Sequence, residues 1–236
     1  MQIEREMSND FSHKLYRNGE FFRMLSAAAL SDFESLLIPV SHPAGKVLFS
    51  ESQPTQGIMV IIEGEVKLSI NSSEGRRLSL RIAKPGEVLG LSSALSCNPN
   101  EMTADLPYPA KIAHVSRQAF LHFLARHPEG YEAVTREVSR SFNQACEQLR
   151  MVGLTTSVPE RLATLLLRWS ENGQKPETGS RCRLSLTHEQ IGEFIGASRE
   201  TVTRTLSVFK NRRLVAQHGC TITIPSRDAL ESYARG

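Results

Sequence analysis

Near Pro128 the apolar residues of the chain change their spacing, and the change limits what either side can fold into. From about Pro39 to Val115 they come in stretches of strand length, broken at Gly45, Gly57, Gly64, Gly75, Gly86 and Gly90. The run Ile58-Met-Val-Ile-Ile62 reads as a buried strand ending at Glu63-Gly64, after which Val66, Leu68 and Ile70 alternate with polar residues. Leu78, Leu80 and Ile82 alternate in the same way after the turn at Ser72-Ser-Glu-Gly75. A period of two sends successive side chains to opposite faces of a sheet. Many short strands without helical crossovers predict an antiparallel roll of the jelly-roll kind, within an α+β chain. Residues 20–38, with Phe21, Met24, Leu25, Leu30, Phe33, Leu36 and Leu37, read as short helices lying on that roll.

Beyond Pro128 the period becomes helical. Tyr131, Val134, Val138, Ser141, Ala145, Gln148 and Val152 recur at alternating spacings of three and four, with Phe142, Cys146 and Leu149 alongside. About 25 residues make a rod of roughly 38 Å, longer than one small roll can cover. Such a seam predicts pairing with a second copy of the chain, a homodimer in which Val134, Val138, Ser141, Ala145, Gln148 and Val152 face the partner. A hinge is expected at Gly153-Leu-Thr-Thr156, then a capping box at Ser157-Val-Pro-Glu160 and a helix over 161–170 with Leu162, Leu165, Leu166 and Trp169. Residues 171–180 read as a surface loop. The expected domains are the roll with its N-terminal helices at 1–127, a dimerisation helix at 128–153 and a C-terminal domain at 154–236.

The densest information lies in residues 186–224. Thr187-His-Glu-Gln190 is a capping box that opens a helix reaching Ile195. Gly196-Ala197 supplies a tight turn, and Ser198 caps the next helix. On that second helix Val202, Leu206 and Phe209 share one side, while Glu200, Thr203, Arg204, Ser207 and Asn211 share the other, with Arg199 in the first turn. Two short helices joined by a glycine turn make a helix-turn-helix, whose second helix presents its N-terminal residues to the major groove. Arginine bonds guanine O6 and N7 in a bidentate manner, and glutamate accepts from cytosine N4. Thr187, Ser198, Arg199, Glu200, Thr203, Arg204 and Lys210 are the candidate DNA contacts; Lys210, Arg212 and Arg213 suit phosphates. The segments 214–217 and 221–224 flank His218-Gly219 and read as a wing.

Charge supports this placement. Residues 157–236 carry 12 Lys+Arg against 8 Asp+Glu, whereas the rest carries 16 against 17, so the positive excess sits in the C-terminal third. No apolar run approaches the roughly 20 residues of a membrane span, and residues 1–6 are charged with no apolar core behind them, which fits a cytoplasmic chain without membrane attachment. Cys97, Cys146, Cys182 and Cys220 lie at least 36 residues apart, so no zinc or iron–sulfur spacing exists. Residues 39–115 hold only His42 and His114, without the His-x-His that a cupin metalloenzyme needs, and no catalytic residues are expected.

The stretch Gly196-Ala-Ser-Arg-Glu-Thr-Val-Thr-Arg204 closely resembles the recognition-helix motif of the Crp/Fnr family of bacterial transcription regulators. The order roll, long helix, hinge and winged helix-turn-helix extends the resemblance over nearly all the chain beyond residue 20. The resemblance implies that Arg199, Glu200 and Arg204 read a TGTGA-type half-site, that a dimer reads its inverted repeat, and that RNA polymerase is a partner. It also implies that the roll is of the cyclic-nucleotide-binding type, with departures. Leu91 stands where the family's ribose-binding glutamate falls, and Met102-Thr103-Ala104 replaces the arginine-containing triplet that holds the cyclic phosphate. A buried phosphate without its guanidinium loses a charge-assisted partner. No cofactor is therefore expected, and the effector, if there is one, is unknown. Leu89, Gly90, Leu91, Met102, Thr103, Phe142, Ala145 and Cys146 are the candidates to line or fill the pocket. Alternatives are haem or nitric oxide sensing through His114, His122 or His127, a redox role for Cys146, or a sensor acting on a protein partner.

Overall fold

The computed structural model describes residues 19–154, 157–171, 180–183, 186–219 and 221–234. They divide into two compact units: the described part of Met1–Gly75 with Leu80–Gln144, and Arg76–Ser79 with Ala145–Gly236.

The first unit opens with α1 (Glu20–Arg23) and α2 (Ala27–Glu34), the short helices anticipated over residues 20–38. Eight strands follow: β1 (Ile38–His42), β2 (Val47–Phe49), β3 (Gly57–Glu63), β4 (Val66–Asn71), β5 (Arg77–Ala83), β6 (Val88–Leu89), β7 (Thr103–Asp105) and β8 (Ala110–Ser116). They form two four-stranded sheets in the orders β1-β8-β3-β6 and β2-β7-β4-β5. The registered pairs are antiparallel, as expected of a roll. Strand β3 shows why its apolar run is unbroken. Ile58, Val60 and Ile62 enter one core cluster, while Ile61 and Met59 enter another on the opposite face. β8 divides likewise, Ala113 and Val115 to one side and Ala110 and Ile112 to the other. A strand covered on both faces needs no polar alternation.

The first cluster is aromatic. Phe33 of α2 meets Phe21, Phe22, Phe120 and Phe123 at ring-centroid distances of 5.3, 5.6, 6.4 and 4.9 Å. Phe120 and Phe123 belong to α4 (Arg117–Arg126), a helix whose short apolar pattern lies between the last strand and the long helix and is masked by both. The other addition is α3 (Leu91–Ser96), whose N-cap Gly90 takes a left-handed φ of 78°. On β5 the alternation of Leu78, Leu80 and Ile82 yields only half-buried side chains, because β5 is the edge strand of its sheet.

Helix α5 runs Glu129–Leu154. Its Gly153 and Leu154 are helical, and the rest of the anticipated hinge, Thr155 and Thr156, lies outside the described residues, as do residues 1–18 and most of the loop at 171–180. The second unit then comprises α6 (Val158–Glu171), β9 (Ser180–Arg183), α7 (His188–Ile195), α8 (Arg199–Asn211), β10 (Ala216–His218), β11 (Thr221–Ile224) and α9 (Arg227–Ala234). β11 lies between β10 and β9 in an antiparallel three-stranded sheet. Ser157 starts α6 as its sequence suggests, its Oγ accepting from the Glu160 N–H at 3.3 Å.

Candidate nucleic-acid interface

The turn between α7 and α8 is built from named contacts. Thr187 Oγ1 accepts from the Gln190 N–H at 3.2 Å, and Gln190 Oε1 accepts from the Thr187 N–H at 2.9 Å, the two halves of the capping box. Gly192 lets the chain fold back on itself: the Ala197 N–H donates to Gly192 O at 3.0 Å, and a Cβ on Gly192 would stand 2.3 Å from the Ala197 carbonyl oxygen. Gly196 closes α7 with a φ of 62°, in the left-handed region that favours glycine. The Arg161 guanidinium donates through Nε to the Ile195 carbonyl at 2.7 Å, which ties the end of α7 to α6. Ser198 then caps α8, its Oγ accepting from the Thr201 N–H at 3.2 Å.

α8 is split by side as its spacing demands. Val202, Thr205, Leu206 and Phe209 are buried, and Arg199, Glu200, Thr203, Arg204, Ser207, Lys210 and Asn211 are exposed. Thr187 and Ser198 are exposed at the same end. Arg204, Lys210 and Arg213 form no ion pair among the described residues. The Glu200 carboxyl is held below the usual carboxylate range, first by the N–H at its own position in the first turn of α8, then by the Ser198 hydroxyl, with Arg199 adding to the pull. It therefore stays an anionic acceptor, the form that a cytosine amino group requires. Arg212 instead covers the Tyr233 ring at 5.6 Å, so its guanidinium helps hold α9.

The wing is larger than its sequence suggests. The hairpin β10–β11 turns at Gly219, with φ of 57°, and gains β9 as a third strand from the edge of the anticipated loop. α9 is an addition to the expected elements; Ser226 caps it, with its Oγ accepting from the Ala229 N–H at 3.2 Å. Leu230 is buried, and Tyr233 meets Phe209 edge to face at 5.2 Å. The i, i+3 spacing of those two residues was the available signal.

The long seam divides between two faces of α5. Val134 belongs to the aromatic core cluster and Gln148 is 2% exposed, its amide donating to the Phe194 carbonyl at 2.7 Å. Neither faces outward in this chain. Val138, Ser141, Ala145 and Val152 are half-buried, and Phe142 and Leu149, one residue beyond Ser141 and Gln148, are 68% and 61% exposed. Two apolar stripes one residue apart are hard to separate by period alone, because 3.5 and 3.6 differ by little over three heptads.

The pocket candidates of the roll are largely packed. Leu91 sits in the aromatic cluster and Leu89 in the second cluster, with half-buried Met102 against it. Thr103 Oγ1 accepts from the Glu51 N–H at 3.0 Å, and Glu101 Oε2 accepts from Ser93 Oγ at 3.0 Å. Gly90 forms the α3 cap, Phe142 is exposed, and Ala145 and Cys146 are half-buried. Among the described residues no cluster of three metal-ligating side chains occurs. No helix among them is long and apolar enough to cross a membrane. His127 is engaged by Asp32 at 2.8 Å, His122 is exposed, and the buried His114 Nε2 has no hydrogen-bond partner.

Comparison with known proteins agrees with this architecture. The cyclic nucleotide-binding domain family matches residues 39–127, and the Crp-like helix-turn-helix domain family matches residues 160–233. A CRP-like cAMP-activated global transcriptional regulator of Mycobacterium tuberculosis is 29% identical over 215 residues, covering 91% of this chain and 96% of the relative. The nitrogen fixation regulation protein FixK of Bradyrhizobium diazoefficiens is 27% identical over 206 residues, covering 86% of this chain and 85% of its own. Among solved structures, FixK2 from Bradyrhizobium japonicum superposes with a TM-score of 0.73 at 20% identity, over 84% of this chain and 96% of that one. By their names both relatives are regulators, the first a transcriptional one. With a cyclic-nucleotide-binding-type roll followed by a Crp-like helix-turn-helix, the chain belongs to the Crp/Fnr family of DNA-binding transcription regulators.

Proposed function

We propose that the protein acts as a homodimer that reads a palindromic TGTGA-type site through α8, and that its roll does not use a cyclic nucleotide as effector. The observation that carries the reading is the outer side of α8. Arg199, Glu200, Thr203 and Arg204 stand together, exposed, at the end of the helix that a helix-turn-helix lays in the major groove. Lys210 near the end of α8 and Arg213 just beyond it are exposed, with no ion pair among the described residues, and are available to phosphates. The dimer reading is supported by Phe142 and Leu149, apolar and uncovered on a helix of 26 residues.

The effector reading is supported by what fills the roll. Leu89 and Leu91 are core residues, Thr103 is engaged by the Glu51 backbone, and Glu101 would repel an anion beside the position that lacks the arginine. The cAMP that activates the mycobacterial relative by its name thus meets a different cassette here. Contact with RNA polymerase completes the proposed role. The test is fluorescence anisotropy of the ligand-free protein on a TGTGA-N6-TCACA duplex and on a scrambled duplex, across a salt series. Selective binding without additive, unchanged by cAMP, is the expected result. Equal, steeply salt-dependent binding to both duplexes overturns the half-site assignment, and selectivity that appears only with cAMP overturns the effector assignment.

A further inference from the structure

We propose that His188 is a positioning residue for Thr203, and through it a determinant of which base the recognition helix prefers. The inference rests on the reading of α8 as the base-contacting helix. His188 is the first residue of α7, and its Nδ1 lies 2.8 Å from Thr203 Oγ1 on α8. The same Thr203 hydroxyl donates to the Arg199 carbonyl at 2.9 Å. A hydroxyl has one hydrogen, so with that hydrogen on the carbonyl the imidazole must be the donor to Oγ1. This fixes the tautomer with the proton on Nδ1 and leaves Nε2 bare.

The environment favours that neutral ring. Burial first, then Lys210 and Arg199 on α8, hold the His188 pKa below the ordinary histidine value, with Glu189 the acidic neighbour on its own helix. Protonation would add a proton at Nε2 and leave the Nδ1 bond in place. Thr205 and Ser207 also bond back to the carbonyl four residues earlier, at 2.8 and 3.0 Å, which is ordinary for these residues in a helix. Thr203 differs in taking a second partner from the neighbouring helix.

The consequence is chemical. With its hydrogen given away and one lone pair taken, the Thr203 hydroxyl has no donor left for a base. Besides one remaining lone pair, the exposed side chain then offers its γ-methyl, the group that packs against the 5-methyl of thymine. Without His188 only the back-bond to the Arg199 carbonyl holds the hydroxyl, which can then exchange that bond for one to a base, and the thymine preference should fade.

The experiment compares affinities for the TGTGA-N6-TCACA duplex and for versions in which each thymine is replaced by deoxyuridine, which lacks only the methyl. The full chain is used as wild type, His188→Ala, His188→Asn and Thr203→Ser, each checked for an unchanged melting midpoint. In the wild type one symmetric pair of substitutions should weaken binding about fifteenfold, about fourfold for each of the two buried methyl-sized contacts. The sensitivity should vanish in Thr203→Ser and in His188→Ala, and return in His188→Asn, whose amide nitrogen takes the place of Nδ1. Sensitivity retained in His188→Ala but lost in Thr203→Ser overturns the proposal, because Thr203 would then read the methyl unaided. A wild type that prefers the palindrome over a scrambled duplex yet ignores every deoxyuridine also overturns it while leaving the reading of α8 intact. No preference for the palindrome removes both.

Discussion

Arg204 and Glu137 show two ways in which a charged side chain is held in this chain, and each leads to a different measurement. Arg204 is exposed and forms no ion pair among the described residues, so its removal leaves the fold untouched and takes away one base contact. Arg204→Ala should weaken binding to the TGTGA duplex by about 1–3 kcal/mol and relax selection at one guanine only. Affinity measured on all four bases at each position checks this, and a uniform loss would make Arg204 a phosphate contact. Glu137 is 2% exposed, bonded through Oε2 to Arg140 Nη2 at 2.6 Å, with Oε1 buried and unpartnered. Arg140 reaches Glu87 at 3.6 Å, and Glu87 is paired with Arg81. Burial pushes Glu137 above the ordinary glutamate value of 4.5, against the pull of Arg140 and with Glu87 and Glu20 adding to the push. The folded chain therefore holds this proton more tightly than the unfolded chain, and the linkage makes stability fall as pH rises through the interval above 4.5. Glu137→Gln, which imitates the protonated acid, should be more stable than wild type at pH 8, with the gap closing toward pH 4. Urea unfolding across that range reads it, and a gap independent of pH would assign the effect to packing alone.

At the scale of the element, the α7–α8 turn is the part most completely legible in the sequence. Thr187, Gln190, Gly196 and Ser198 each act through their own backbone neighbourhood, so residue type alone announces the structure. Gly192 adds a tertiary condition, since its Cα faces the Ala197 carbonyl. Gly192→Ala would push a methyl to 2.3 Å from that backbone oxygen, so the turn must open. The expected result is a lower melting midpoint and lost DNA selectivity, where the ordinary helix propensity gain of alanine would otherwise stabilise by about 1 kcal/mol. A variant at least as stable as wild type and fully selective would mean that the turn yields without consequence. What was not legible depends on partners far along the chain. β9 is a strand because β11 offers it an edge, and α9 is fixed by Phe209 and Arg212 of an earlier helix. α4 became visible only through Phe33, which draws Phe120 and Phe123 into one cluster. On α5 the period located the helix but not its outer face, because Val134 and Gln148 have partners within the chain that periodicity does not encode.

For the molecule as a whole, that displacement changes how the proposed dimer is tested. Val138 sits at the middle of the sequence-derived seam, but it is half-buried and packs on the aromatic cluster, so an aspartate there would damage the roll as well as any interface. Phe142 is 68% exposed and lies on the uncovered stripe with Leu149. An exposed helical side chain is usually worth within about 0.5 kcal/mol to its own chain, so Phe142→Asp should leave the melting of a single chain nearly unchanged. Across a two-fold interface the same change acts twice, placing two like charges in an apolar contact that is otherwise dry. Light scattering should then report half the wild-type mass. Binding to the palindrome should drop to the level of a single half-site, while binding to an isolated half-site stays as it was, because α8 is untouched. A Phe142→Asp protein that keeps both its mass and its palindrome affinity would place the self-association surface elsewhere than on α5. One that loses mass but keeps palindrome affinity would show that each chain reads its half-site alone, and that the inverted repeat is not what makes binding tight.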